Sequence, residues 1–354
     1  MAKNSVSSEQ QPLNVVALHA SNQLRHVGID DGHSGIKLVT DDGQQFFVPS
    51  RVARGGDLIA LGDAQDNVYE TAAGDEYAVS EALPFMDTTF ADYAVSDINR
   101  VLVHHALMKA NLGGQDVSIV TGLPVGDYFI GNQPNKELIA KKRANLLEAS
   151  IKHKNDTIVL ANIVKHNVLS EAIAAFFDLL LDENGEKRPE IAEMIEHGAI
   201  GLIDIGGKTT DSAVIINGGS TVDGKRSGTD NIGALSLNRA VENDIKAAFG
   251  ASAINPAQLD RAVMHGVVKL YGNDRDCSSI VEAQKELLAN QIIQATQRKM
   301  RDASDLEKVF FVGGGSLLLR KQLTGLYEHA EFVKDPQFAN ARGMLKAAKF
   351  LDRS

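Results

Sequence analysis

Cysteine, long apolar runs and net positive charge are all scarce in this 354-residue sequence, and each scarcity removes a class of function. A single cysteine, Cys277, rules out an internal disulfide and leaves too little for a thiolate metal cluster, as expected of a reducing cytoplasm. No run of about 18 uncharged apolar residues occurs, although 44% of the chain is apolar. The start also lacks the basic-then-apolar pattern of a secretory leader. The expectation is a soluble, cytoplasmic protein with no membrane attachment. A formal charge of −10 argues against a surface built to neutralise phosphate backbones, so direct nucleic-acid binding is not expected. Any link to DNA should run through another protein. What the chain does have is length enough for two domains of roughly 150 residues with a cleft between them.

Residues 1–25 begin polar, carry one Pro and hold no Lys or Arg besides Lys3 and Arg25, which reads as a flexible arm and not a membrane-surface helix. Three short strands follow, "RHVGID", "GIKLVT" and "QQFFVP", with "DDG" at 41–43 as the hairpin turn. The stretch from about 50 to 95 is irregular and polar. "VSDINRVLVHHALMKANLGG" then has helical periodicity, with Ser96 or Asp97 as cap and Gly113 as stop. The alternation continues through strand "VSIVTGLP", helix "PNKELIAKKRANLLEASI", strand "TIVLANIVKH" and helix "SEAIAAFFDLLLD", capped by Ser170. Polar "ENGEKRPE", with its Gly and Pro, opens a linker over residues 183–197.

After it the opening pattern returns. "GAIGLIDIGGKTTDSAVIINGGSTVDGK" is again strand, Gly turn, strand, Gly turn, strand. Asp30 and Lys37 are seven residues apart, as are Asp204 and Asp211, and the two pairs are displaced by 174. This self-similarity predicts an α/β chain of two like lobes, each a β-meander plus helices: residues 26–182, to which 337–354 return, and residues 198–336. In the second lobe a helical region from about 233 to 306 precedes strand "KVFFVGGGS" and helix "SLLLRKQLTGL", and "NARGMLKAAKFL" is a closing helix.

Two hairpins facing one cleft would offer backbone N–H groups from both sides, a geometry suited to a chain of phosphates. Gly32, Gly206 and Gly207 let the backbone come close. Carboxylates beside phosphates repel them, so Asp30 and Asp204 make sense with a hard cation between, most simply Mg²⁺ held by one or two carboxylates and by substrate phosphates. Taken singly, each segment is equally an ordinary Gly-Asp hairpin, and the matched spacing is what favours phosphate binding. The triglycine of "FFVGGGSLLL" follows a strand and opens a helix, which suits the ribose and α-phosphate end of a nucleotide. Glu171, just after Ser170, is explained either by the helix dipole or as the acid that orients water on a γ-phosphate. His104 and His105 read as packing, the charges of "KELIAKKR" as a solvated helix face, and Cys277 has no catalytic companions.

The set "IDDGHSGIKL", "LIDIGGKTTDSAV" and "VFFVGGGSLLL" resembles the phosphate-1, phosphate-2 and adenosine motifs of the actin, Hsp70 and sugar-kinase superfamily. "VHHALMKA", "SIVTGLPVGDYFIGNQPNKELIAKKRAN" and "NARGM" narrow the resemblance to the bacterial plasmid-segregation actins, the ParM/StbA family, over residues 26–354. The "GLPVGDY…NQPN" run is the most specific part, because nothing in nucleotide binding requires it. The resemblance implies an actin-like ATPase fold around a nucleotide cleft. By it, Asp30 and Asp204 would hold Mg²⁺ through water, Lys37 would reach the phosphates, and Glu171 would position the attacking water. Gly32, Gly206, Gly207 and Thr209 would line the hairpins, with Asp31, His33, Ser34, Lys208 and Asp211 beside them. Gly313, Gly314 and Gly315 would meet the adenosine, and Gly233 would border it more loosely. The family polymerises on binding ATP or GTP, hydrolyses it within the filament and moves plasmids through a DNA-bound adaptor of the ParR type.

Two departures from that pattern matter. His33 stands where the family has Ser, and Lys208 where it has Thr. Lys208 would add a cationic phosphate contact. His33, from its ordinary titration range, would make polymer stability pH-sensitive between about pH 6 and 7.5. Rival readings are a sugar- or acetate-type kinase of the same superfamily and a nucleotide-gated scaffold without useful hydrolysis. An Hsp70-type chaperone would need a substrate domain after the triglycine, where only about 40 residues remain.

Overall fold

The computed structural model describes residues 24–55, 67–80 and 85–351. Apart from Leu24 and Arg25, the predicted flexible arm lies outside the described residues. Arg25 opens the first strand, its guanidinium bonded to Asp41 in the hairpin turn.

The first sheet contains β1 (Arg25–Asp31), β2 (Gly35–Thr40), β3 (Gln45–Pro49), β4 (Asp116–Leu123) and β5 (Asn162–Ser170), in the order β5-β4-β1-β2-β3. Its helices are α1 (Asp97–Lys109), α2 (Lys136–Leu147) and α3 (Glu171–Leu180). After α4 (Pro189–His197) the second sheet repeats the plan. It has β6 (Ile200–Ile205), β7 (Thr210–Ile216), β8 (Thr221–Val222), β9 (Gly228–Asp230), β10 (Lys308–Val312) and β11 (Ala330–Phe332). The order β11-β10-β6-β7-β8 matches the first sheet strand for strand, with β9 added against β7. In both, the opening hairpin is antiparallel and the later strands join in parallel. Strands β2 and β6 are buried along their whole length, as expected where helices cover both faces of a sheet. Helices α5 (Ala234–Phe249), α6 (Pro256–His265) and α7 (Ser278–Met300) build the rest of the second lobe, and α8 (Ala339–Lys346) closes the fold.

Two helices run between the sheets. Ala172, Ala175 and Phe176 of α3 pack with Ile200, Leu202, Ala213 and Ile215 of the second sheet, while Ala174 packs with Val120 of the first and Met344 of α8. Backbones meet here: a Cβ on Gly343 would overlap the Ala174 carbonyl, and one on Gly28 would overlap Ala341 O. Asp178 of α3 accepts from Arg342 Nε at 2.9 Å and from Lys346 Nζ at 2.8 Å, which rivets α8 to α3. The "NARGM" sequence is therefore a close-packing signature at the floor between the lobes.

Several local expectations are corrected. The polar stretch from about 50 to 95 contains short strands Val52–Arg54, Val68–Thr71 and Glu76–Val79, which form a small sheet with Ile151–His153. At three or four residues each, they are too short for an alternating pattern to emerge. The expected linker 183–197 contains α4, whose Pro189 sits in the first turn, where its missing N–H costs nothing. The expected helical region 233–306 is interrupted by a hairpin, Val267–Leu270 with Asn273–Asp276, turned at Tyr271 and Gly272, both at positive φ. Helix α1 is capped as expected by Ser96, which accepts from Asn99 N–H, but it stops at Lys109, with Asn111 at φ 57° and not Gly113 making the turn. Residues 157–161 precede β5 instead of forming it.

Candidate nucleotide site

The two repeated hairpins meet. Asp30 pairs with Lys37 in register across β1 and β2, and Asp204 pairs with Asp211 across β6 and β7, the same position in each sheet. At the tips, Gly207 lies so close to Ser34 that a Cβ there would sit 2.7 Å from Ser34 Cβ. Helix α5 supports the second tip from behind: Ala234 and Leu235 N–H donate to Gly206 and Gly207 carbonyls at 3.0 and 2.8 Å. Gly233 is required by that contact, since a Cβ would run into the Gly207 carbonyl.

Between the hairpins is a cleft of about 670 Å³, part of it open to solvent. Its wall brings together Asp30, Asp31, Gly32, His33 and Lys37 from the first hairpin, and Asp204, Gly206, Gly207, Lys208 and Thr209 from the second. Glu171, Gly313 and Gly314 also line it, as do Lys142, Asn340 and residues of the 122–127 run. The expected Ser34, Asp211, Gly233 and Gly315 are not on this wall. Ser34 and Gly233 are taken up by the contacts at the hairpin tips, Gly315 by contact with Ile205, and Asp211 by hydrogen bonds to another part of the chain. Gly313, at φ 81°, packs directly against Asp204 Oδ1 and the Ile205 carbonyl, so the triglycine's first task is to bring β10 and its turn against the carboxylate strand.

The charges are unevenly balanced. Lys37 Nζ is 3.1 Å from Asp30 Oδ2, both groups being buried. Burial raises the Asp30 carboxyl against the pull of Lys37, while Lys37, which burial alone would lower, is raised by Asp30 beside it. Asp204 is pushed up to about 6 by burial, although it accepts from Asn340 Nδ2 at 2.7 Å. Glu171 is pushed well above the ordinary carboxylate range by burial and then by Asp30, Asp211 and Asp204.

Three findings revise the sequence reading. Lys142, expected on a solvated helix face, is only 2% exposed; its Nζ donates to Asp31 Oδ2 at 2.7 Å and to the Gly122 carbonyl at 2.6 Å. Asn99 Nδ2 also donates to Asp31 at 2.8 Å, so that carboxylate is committed to the protein and ties β1, β4, α1 and α2 together. His33 does not titrate between pH 6 and 7.5: burial lowers it to about 4, its Nδ1 lies 2.6 Å from the Thr88 carbonyl, and its ring rests on Tyr93. With Nδ1–H donated, Nε2 is left as an acceptor. Asn340 had no assigned role; only the "NARGM" motif pointed towards it.

Residues 25–182 match the family described as Plasmid segregation protein ParM, N-terminal, and residues 202–325 the family described as Archaeal actin homologue MreB-like, C-terminal. No curated protein matches the chain by sequence. Among solved structures, a 15-stranded ParM filament from Clostridium botulinum superposes with a TM-score of 0.74 at 22% identity, covering 92% of this chain and 99% of that one. An archaeal actin homologue in complex with ADP gives 0.71 at 21%, again covering 92% and 99%. The apo ParM protein described as psk41 gives 0.63 at 17%, covering 94% and 98%. At these identities the likeness establishes the fold. No helix among the described residues is long and apolar enough to cross a membrane.

Proposed function

For an actin-like protein whose first lobe is of the ParM (StbA) N-terminal family, we propose that the cleft binds a Mg²⁺-nucleoside triphosphate, ATP or GTP, and hydrolyses its γ-phosphate. The cycle drives assembly of the chain into a filament that serves plasmid partition through a DNA-binding adaptor of the ParR type. One observation carries this reading: two hairpins equivalent in register, one from each sheet, bring Asp30 and Asp204 onto a single cavity with Glu171. Relatives described as a filament and as an ADP complex support it, as does a net charge of −10 for an indirect DNA link.

The residues suit the absent groups. Asn340 Oδ1 is buried with no hydrogen-bond partner beside Asp204, as expected if its bond goes to bound water, and Glu171 lines the same cleft. Asp30 and Asp204 would hold Mg²⁺ through water, and the ion when bound supplies charge neutralisation along the phosphates. Gly32, Gly206, Gly207 and Thr209 line the phosphate path, and Gly313 and Gly314 take the sugar end. Lys208, with no ion-pair partner among the described residues, reaches the phosphates as a second cation beside Lys37. Burial and then the neighbouring carboxylates raise the Glu171 carboxyl well above its ordinary range and so favour its neutral form. Once Asp30 and Asp204 are neutralised, it is released to orient a water and accept its proton.

Right-angle light scattering after Mg²⁺-ATP or Mg²⁺-GTP addition, with ADP and EDTA controls and phosphate release in parallel, tests the reading. Scattering should rise above a critical concentration and decay as phosphate appears. In Glu171→Ala, phosphate release should fall by about 10²–10⁴ while filaments persist. Flat scattering at every concentration, with turnover that rises on adding a small-molecule acceptor, would replace the filament by a kinase.

A further inference from the structure

The run from Gly122 to Gly126, the part of the sequence that nucleotide binding does not require, is gripped from both sides of the cleft. On the first lobe, Lys142 holds the Gly122 carbonyl. On the second, the Val125 N–H donates to Asp211 Oδ1 at 3.0 Å, and the Gly126 N–H donates to Thr229 Oγ1 at 2.7 Å. The Thr229 hydroxyl in turn donates to Asp211. Asp211 and Thr229 are directly opposed on β7 and β9, so one edge of the second sheet presents two acceptors to two successive N–H groups of the first lobe. The approach is close: a Cβ on Gly126 would lie 3.1 Å from Thr229 Oγ1. Pro124, with its fixed φ, precedes the pair and restricts how the N–H groups turn. Strand β9 is itself anchored, because Asp230 is paired with Lys299 and lies 3.7 Å from Arg298 of α7.

We propose that Asp211 and Thr229 form an inter-lobe latch on Val125 and Gly126, and that they are positioning residues which set the angle between the lobes without touching the nucleotide. For the lobes to part here, the buried Val125 N–H and its neighbour must both lose their acceptors. That cost is concentrated in one side chain, Thr229, because its hydroxyl is acceptor to Gly126 and donor to Asp211 at once. Neither residue lies on the cleft wall, whereas Gly122, Leu123, Pro124 and Asp127 do, so the two latched residues, Val125 and Gly126, are flanked on both sides by residues that face the cleft.

The latch rests on the reading of the cleft as a nucleotide site only for its second measurement. In a Cys277→Ser background, spin labels at Ala73→Cys and Ser252→Cys, exposed residues of the two lobes, report the inter-lobe distance by double electron-electron resonance without any ligand. Thr229→Val should add a population at longer distance and speed release of fluorescent N-methylanthraniloyl-ADP about tenfold, roughly what two lost hydrogen bonds are worth. Thr229→Ser restores the hydroxyl and should restore both values. Asp211→Asn, which keeps a carbonyl for the Val125 N–H, should remain close to the background. A Thr229→Val distance distribution identical to the background overturns the latch. So does a broadening that Thr229→Ser fails to reverse. If the background binds no ADP, the nucleotide reading fails while the distance comparison still decides the latch.

Discussion

The two lobes place opposite charges at the same position. In the first sheet the residue facing Asp30 is Lys37, and the pair is neutralised within its own hairpin. In the second the residue facing Asp204 is Asp211, which repels Asp204 and bonds to the first lobe instead. A duplicated hairpin has thus been put to two uses. The first lobe carries its own counter-ion, while the second buries two carboxyls that burial pushes up to about 6 and about 7, Asp211 accepting hydrogen bonds from the first lobe and Asp204 left, in the proposed function, for a cation. Charge unbalanced by burial is a store of free energy that a ligand can release, so the second lobe is the one expected to respond to occupancy.

The sharpest way to break the comparison is to remove the residue at that position in each lobe. Lys37→Met leaves Asp30 buried without its partner and should cost about 3–5 kcal/mol in urea unfolding. Asp211→Asn retains an acceptor, so at pH 4, where the carboxyl that burial pushes up to about 7 is already neutral, it should stay within about 1 kcal/mol of the wild type. Equal losses would show that the lobes do not differ electrostatically.

A second test uses pH. The folded Asp204 carboxyl lies at about 6, above its ordinary 3.8, so the folded state holds that proton more tightly than the unfolded chain does. Its contribution to stability is complete below about pH 4 and is lost as pH rises through about 6. Without Mg²⁺, Asp204→Asn should therefore gain on the wild type by about 3 kcal/mol between pH 4 and 7.5, read from paired urea titrations. A constant difference across that range would refute the shift.

Away from the cleft wall the lobes are joined by ion pairs, Arg51 to Asp260 at 2.7 Å and Arg239 to Asp87 at 3.0 Å. These are partly solvated. Arg51→Ala should loosen closure by about 0.2–1 kcal/mol, seen as faster nucleotide release at low salt that converges on the wild-type rate at high salt. A salt-independent effect would mean that packing of Arg51 over Phe85, and not charge, is what was lost. The smallest effect belongs to His33. Because it stays neutral, His33→Ser should leave the shape of the assembly-pH profile between 6 and 7.5 unchanged, and a shifted midpoint would show that the imidazole does titrate there.

Much of the site was legible because it lies in local, repeated sequence. The displacement of 174 between Asp30–Lys37 and Asp204–Asp211 reappears as identical register in two sheets of one strand order. Glycines at turns announced close approach, and Glu171 was marked by its place at the head of a helix. Other residues gave no such mark. Lys142 stands among charges that are otherwise on the helix surface, and only the arrival of Asp31 from 111 residues away turns it inward. Asn340 meets Asp204 across 136 residues. His33 carries an ordinary imidazole whose titration is lowered by burial, against the opposing hydrogen bond to the Thr88 carbonyl, and the segments that bury it, Tyr93 among them, are not adjacent in sequence. The small sheet and the Val267–Asp276 hairpin were hidden because strands of three or four residues have no period to detect.

By itself the sequence determined the repeat, the strand-turn-strand units and the residue types brought to the phosphate-like turns, because register and turn geometry depend on neighbours a few residues apart. Only the tertiary structure decided which of those carboxylates are paired, which are left charged and which hold the lobes together. Those outcomes depend on burial and on partners contributed by distant segments, and the energy of a charge is set by its surroundings, not by its neighbours along the chain.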